Sequence, residues 1–124
     1  MNTNQNTKEN LEEEFKTFIN NIDKRNVVVL EESFHDQYLD HVIIKGMEDI
    51  FVSNKEKYLK SLEEGKIGGV EREVKIHSIE IKENFGIVKA DLDSKVMNFQ
   101  TQYTFLNQLG KWKVIHALVS AKKI

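Results

Sequence analysis

The 124-residue sequence contains no cysteine, which excludes disulfides, thiolate nucleophiles and cysteine-based metal sites. It also has no excess of basic charge, because 18 lysines and arginines stand against 20 aspartates and glutamates and the formal net charge is -2. A dedicated nucleic-acid or anionic-membrane binder normally carries a basic patch. We therefore expect neither nucleic acid nor a membrane as a partner.

Two further absences concern location. No apolar run is long enough to cross a membrane, and the first ten residues, MNTNQNTKEN, lack the apolar core of a signal peptide. Together these features predict a cytoplasmic protein. At this length we expect a single domain over residues 7–124, preceded by a disordered polar tail over residues 1–6.

Helical periodicity dominates the start of the chain. Apolar residues recur three or four positions apart between Leu11 and Ile22, with glutamates on the opposite side. This spacing predicts an amphipathic helix over residues 7–23. A second, short helix is predicted over residues 27–34.

The middle of the chain changes its pattern twice. Residues 35–45 are predicted as an edge strand, and the apolar residues of 47–51 have no clear period and are predicted as a loop. Ser53 and Glu56 then match a capping box, in which the serine hydroxyl and the glutamate carboxylate bind free N–H groups of a helix start. A third helix is therefore expected to begin at this point.

From residue 70 onward the pattern is that of strands. The apolar alternation skips one residue at His77 and Ser78, which is typical of a β-bulge. Residues 98–106 and 111–122 are rich in β-branched and aromatic residues on either side of a glycine turn, which predicts a pair of antiparallel strands. The resulting order is helix, helix, strand, helix and four strands, an α+β arrangement.

This order, with WKVI after a glycine turn, resembles the nuclear-transport-factor-2-like superfamily, which includes ketosteroid isomerase and the SnoaL-like polyketide cyclases. The segments FINNIDKRNVVVLEESFHD, VSNKEKYL and YTFLNQLGKWKVI are similar to those of small proteins called putative lumazine-binding domains. The resemblance implies a cystatin-like cone, in which a curved mixed or antiparallel sheet wraps around about three N-terminal helices and encloses a pocket. It also implies a homodimer through the outer face of the sheet.

The resemblance to ketosteroid isomerase does not extend to its catalytic residues. The position of the isomerase tyrosine on the first helix falls on Phe18, which has no hydroxyl group. The position of its aspartate base falls near Val42, unless a gap moves Asp40 into place. Steroid-isomerase chemistry is therefore not expected.

Large side chains on the pocket-forming elements are the candidate ligand contacts. They are Phe18, Tyr58, Tyr103, Trp112 and His116. His116 shares strand parity with Trp112, so we expect it on an apolar face, and parity does not decide which face is the inner one. The resemblance implies that these residues look inward, where His116 either lines the pocket or is a satisfied core or interface histidine.

A second group of polar residues lies at the start of the first strand. His35, Asp36, Tyr38, Asp40 and His41 form the densest polar cluster in the chain. A histidine and an aspartate together can perform acid-base chemistry, but we favour a solvated junction between helix and strand.

Three functions remain open. The first is a cofactor-free domain that holds a small apolar or aromatic ligand between helices and sheet. The second is a cofactor-independent isomerase, cyclase or dehydratase in which His116 and His77 transfer protons. The third is an association module that docks a partner through its sheet. No metal site is predicted, because the four histidines lack ligand spacing.

Overall fold

The computed structural model describes residues 7–124, and the tail predicted over residues 1–6 lies outside this range. Three helices and six strands occupy the described part of the chain. In order they are α1 (Lys8–Asp23), α2 (Val27–Ser33), β1 (Phe34–Ile44), β2 (Ile50–Asn54), α3 (Lys55–Glu63), β3 (Glu73–Ile81), β4 (Phe85–Asp93), β5 (Met97–Gln108) and β6 (Lys111–Lys123). Within that range no helix is both long and apolar enough to span a membrane.

Helix α1 confirms the amphipathic helix that the apolar periodicity predicts. Thr7 is the N-cap, and its hydroxyl accepts a hydrogen bond of 3.1 Å from the backbone N–H of Asn10. The apolar stripe from Leu11 to Ile22 is buried. Because these side chains are spaced three or four residues apart, all of them reach the core from one face of the helix.

Helix α3 begins one residue later than the capping box predicts. Asn54 is its N-cap and accepts a hydrogen bond of 2.8 Å from the backbone N–H of Lys57. The predicted capping role of Ser53 is therefore wrong. Ser53 belongs to β2, where its backbone pairs with Asp40.

The sheet is mixed, and its strands lie in the order β2-β1-β6-β5-β4-β3. Only the pair β1–β6 is parallel among the described strands, and the remaining pairs are antiparallel. The loop predicted at 47–51 is confirmed for residues 47–49 and wrong for Ile50 and Phe51, which begin β2. The predicted edge position of β1 is wrong, because β2 pairs with β1 from Leu39↔Asn54 to Ile43↔Ile50 and forms the edge. The segment has no period because most of its residues are exposed on both faces.

The three helices pack on the inner face of this curved sheet and give the expected α+β cone. Aromatic side chains fill the contact between the helices and the sheet. The Phe18 ring lies 5.3 Å from that of Phe34 and 5.8 Å from that of Tyr103, both edge-on. Rings in this geometry are favoured by their quadrupoles and by the apolar area that they bury.

Two β-bulges change which side chains face inward. The first lies between Ile76 and Ser78, where the β3–β4 register shifts, and it confirms the bulge predicted at His77. A second shift occurs in β5–β6, where Thr104 pairs with His116 but Phe105 pairs with Val114. Since this bulge inserts one residue, it reverses the parity of β6 beyond it.

The second bulge overturns the predicted orientation of His116. Trp112 and Val114 precede the extra residue, Ile115, and are buried on the inner side. Beyond it, His116 and Leu118 point to the outer face. The inner positions of β6 continue as Ala117, Val119 and Ala121.

Candidate ligand cavity

A cavity of about 400 Å³ lies between the helices and the inner face of the sheet. It is bounded by the end of α1, by α3, by strands β1, β5 and β6, and by the loops that precede β3 and β5. Much of its wall is apolar. These side chains include Ile22, Val42, Ile44, Met97, Phe99 and Val119. A cavity of this size and lining is typical of a site for a small molecule.

Strand β1 brings two polar side chains into this apolar space. Tyr38 and Asp40 alternate with outward residues, and in the parallel ladder Asp40 stands beside the buried Ala117 of β6. They are only 2% and 3% exposed, respectively. The interpretation of this segment as a solvated junction is therefore wrong for these two residues. The histidine between Asp40 and Val42, His41, points outward.

Tyr38 and Asp40 are directly bonded. The Tyr38 hydroxyl donates a hydrogen bond of 2.6 Å to Asp40 Oδ2, a length typical of a bond to a charged oxygen. Burial raises the pKa of the Asp40 carboxyl, while the bond from Tyr38 and the backbone N–H of Ser53 act in the opposite direction. Burial also raises the pKa of Tyr38 well above its usual value, so the phenol remains a donor.

The second oxygen of Asp40 is not satisfied. Oδ1 is buried and has no hydrogen-bond partner among residues 7–124. Buried polar atoms in folded proteins are nearly always paired, with protein groups or with ordered water, so this oxygen is open to a donor from a bound water or ligand. A buried carboxyl with a raised pKa can also take up or release a proton, which is the chemistry of a general acid or base.

A charged pair occupies another part of the cavity wall. Arg72 Nε donates to Asp23 Oδ1 at 2.7 Å, and the Arg72 backbone N–H donates to Asp23 Oδ2 at 3.0 Å. The guanidinium also lies over the ring of Phe99, 5.2 Å from its centroid. Burial raises the pKa of the Asp23 carboxyl, and the charge and hydrogen bonds of Arg72 oppose this rise. Arg72 Nη2 is buried and, within the described chain, has no acceptor.

Tyr58 and Tyr103, two of the predicted pocket residues, line the cavity. Both lie within reach of the charges of Arg72 and Asp40, which act on the pKa of each hydroxyl. Burial raises the pKa of Tyr103 to about 12 and that of Tyr58 further. Each therefore offers a ligand a protonated hydroxyl on an apolar ring.

The other residues predicted for the pocket or for catalysis do not line the cavity. Phe18 and Trp112 both belong to the buried hydrophobic core, and neither lines the cavity. His77 is on the exposed outer face of β3, where its Nε2 lies 3.0 Å from Asp91 Oδ2. His116 is on the outer face of β6. The structure therefore does not bring His77 and His116 together at the cavity.

Two charged members of the site, Asp23 and Arg72, were missed in the sequence analysis. Asp40 was named as a shifted equivalent of the isomerase base and as a member of the polar cluster at the start of β1, but it was not placed in the cavity. A signal for Asp40 was present, because it shares strand parity with Tyr38 and Val42, which are apolar or aromatic and face inward. An acid at such a position must be buried, and buried acids are rare unless they have a partner. No comparable signal marks Arg72, which lies in the connection before β3.

The outer face of the sheet carries a second cluster, which we call the histidine patch. His41 Nδ1 lies 3.1 Å from His116 Nε2, so one of the two rings donates to the other. Burial and the charge of His41 lower the pKa of His116. Large exposed apolar side chains surround the pair: Leu39, Ile43, Ile50, Val52 and Leu118.

No group of three or more histidine, aspartate or glutamate side chains in residues 7–124 is arranged to hold a metal ion.

Comparison with known protein families identifies the family of this chain. The family described as putative lumazine-binding matches residues 6–119. The chain belongs to this family. None of the curated proteins compared matches the chain.

Solved structures share the fold of this family member. A nuclear-transport-factor-2-like protein from Cytophaga hutchinsonii aligns with a TM-score of 0.75 and 24% identity over 98% of this chain and 99% of that one. One of unknown function from Silicibacter pomeroyi has a TM-score of 0.76, 14% identity and 92% coverage of both chains. A putative ketosteroid isomerase from Parabacteroides distasonis has a TM-score of 0.68, 15% identity and coverage of 94% and 89%. These similarities establish the nuclear-transport-factor-2-like fold.

Proposed function

We propose that the protein binds a small apolar or aromatic molecule in the cavity between its helices and its sheet. The observation that carries the proposal is a cavity of about 400 Å³ whose apolar wall contains a buried, unpaired carboxylate oxygen. A bound ligand would fill the apolar volume and satisfy this oxygen, and both changes lower the free energy. The family's description as lumazine-binding supports a ring compound of modest size.

The cavity can be tested by filling it. Replacing Val119, which lines the cavity, with phenylalanine is expected to weaken the binding of 1-naphthalenemethanol at least about tenfold, because the larger ring occupies the ligand's volume. The neighbouring substitution Leu118→Phe is the matched control, since Leu118 points to the outer face and is 42% exposed. Isothermal titration calorimetry measures both. Equal affinities for the Val119→Phe variant and the unchanged protein would place the compound outside the cavity and contradict the proposal.

We also propose that two copies of the chain associate through the histidine patch. This patch combines exposed apolar side chains from β1, β2 and β6 with two mutually bonded imidazoles. Contiguous exposed apolar surface of this kind marks an interaction site, and a second copy presents the same surface about a two-fold axis. The inner face of the sheet is already covered by helices, so the outer face is the one available.

A charge placed in this patch should dissociate the homodimer. We expect Leu118→Glu to convert a dimer into a monomer in sedimentation velocity, because two buried carboxylates would lose their hydration at the interface. Val28→Glu provides a control that adds the same charge on α2, at a residue that is 87% exposed, and should leave the dimer intact. A monomeric unchanged protein at high micromolar concentration, or a dimeric Leu118→Glu variant, contradicts this proposal.

A further inference from the structure

The acidic side chains of the cavity wall do not all have a cation beside them. The Asp23 carboxylate is neutralised by the Arg72 guanidinium, whose Nε donates to Oδ1, and it also accepts a hydrogen bond from the Arg72 backbone N–H. Lys66 is also in the wall, but its side chain is largely exposed and is paired with Glu64 at 3.1 Å. Asp40 is therefore the one acid of the described cavity wall that lacks a cation of its own.

The surroundings of Asp40 favour a positive charge on the ligand. The rings of Tyr38 and Tyr58 lie 6.1 Å apart in an edge-on arrangement, and Tyr103 completes an aromatic wall of the same cavity. The electron-rich faces of such rings attract cations, most strongly where water is excluded. The nearest imidazoles, His41 and His116, lie on the other face of the sheet and are bonded to each other.

On these grounds, and resting on the ligand-binding function proposed above, we propose that the ligand is an amine on an aromatic body, bound as its cation, with an N–H group donating to Asp40 Oδ1. The ammonium supplies both the missing hydrogen bond and the missing charge. The aromatic body then lies along the apolar wall formed by residues such as Phe99 and Val119.

Other charge states fit this wall less well. An anionic ligand would bring a further negative charge towards Asp23 and Asp40, two acids that are themselves buried, and like charges repel more strongly where the surroundings are less polar than water. A neutral alcohol would satisfy Oδ1 but would leave its charge unbalanced. The charge of Arg72 does not repel the amine strongly, because the Asp23 carboxylate lies 2.7 Å from its Nε. An oxygen elsewhere on the ligand would supply an acceptor for Arg72 Nη2.

Three probes of nearly the same shape separate these cases. They are 1-naphthylmethylamine, 1-naphthalenemethanol and 1-naphthoate, titrated calorimetrically at about pH 8, where aspartates are normally ionised and alkylamines are protonated. We expect the amine to bind about tenfold to a hundredfold more tightly than the alcohol, as hydrogen bonds to charged groups allow. Naphthoate should bind most weakly. An alcohol that binds as tightly as the amine overturns the proposed ligand class.

Two matched variants locate the preference. Asp40→Asn keeps the size of the side chain but removes its charge, and should lower the affinity for the amine to that for the alcohol. Asp36→Asn removes the same charge from the same strand at a side chain that is 92% exposed, and should change neither affinity. An amine preference that survives in Asp40→Asn overturns the assignment to Asp40. If that variant does not fold, the order of the three probes in the unchanged protein decides the ligand class.

These titrations also distinguish failure of the proposed amine class from failure of the proposed ligand-binding function. Equal binding of all three probes, lost in Val119→Phe, overturns the amine class and leaves the ligand-binding function standing. Failure of all three probes to bind the unchanged protein overturns the ligand-binding function, and the amine class with it.

Discussion

Replacement of Arg72 with glutamine is expected to lower the free energy of unfolding by about 3–5 kcal/mol, the usual result when one partner of a buried ion pair is removed. The Asp23 carboxylate, which is buried and accepts from Arg72 Nε at 2.7 Å, would be left without its cation. The backbone N–H of Arg72 would still reach Asp23 Oδ2, but one neutral donor does not replace a guanidinium. Urea unfolding at neutral pH measures the difference.

The loss in the Arg72→Gln variant should depend on pH. Burial already raises the pKa of Asp23, and Arg72 opposes that rise, so its removal raises the pKa further. Above about pH 4 the Asp23 carboxyl is ionised in the unfolded chain, whereas in the folded variant it keeps its proton up to its own higher pKa. The contribution of Asp23 to the stability of the variant is therefore greatest below the pKa that Asp23 has in the unfolded chain. It falls as the pH rises from that pKa to the higher pKa of Asp23 in the folded variant.

The double variant Asp23→Asn, Arg72→Gln is the control for this pH dependence. It contains no acid at the site, so the contribution of Asp23 to the pH dependence should disappear. Two neutral side chains can also bond to each other, so part of the lost stability should return. A destabilisation of Arg72→Gln that is the same at about pH 4 and about pH 8 would contradict a buried, unpaired Asp23 as its cause.

Much of the fold follows from local patterns in the sequence. Helix α1 and the bulge at His77 are visible because one face of each element is buried and the other is not, so apolar residues mark the period. Strand β2 could not be found in this way. Residues such as Ile50 and Val52 are exposed, and pairing with β1 rather than burial makes the segment a strand.

The cavity depends on contacts between distant parts of the chain. Tyr58 and Tyr103 were predicted to line it because pockets are built from apolar side chains with a few polar tips, and both tyrosines lie on elements expected to form the pocket. His116 was misplaced because Ile115, one residue in an apolar run, forms a bulge that reverses the parity beyond it. The role of Arg72 was not visible because its partner, Asp23, lies far away in the sequence at the end of α1.

A second large loss of stability is expected when Phe18 is truncated. This residue was predicted from the sequence to lie in the pocket, but the structure places it in the core. Its ring is buried edge-on against Phe34, Tyr103 and Phe105. Phe18→Ala should therefore lower the free energy of unfolding by about 3–5 kcal/mol, through lost transfer energy and the cavity left behind.

A residue of similar size on the surface calibrates this result. Phe51→Ala, on the exposed edge strand, should change stability by no more than about 0.5 kcal/mol in the same urea titration. The milder Phe18→Leu variant keeps most of the core filled, so it allows binding of 1-naphthylmethylamine to be compared with that of the unchanged protein. Because Phe18 contacts the wall residue Tyr103 but does not line the cavity, affinity should change less than threefold while stability falls. A large loss of affinity with little loss of stability would return Phe18 to the ligand site.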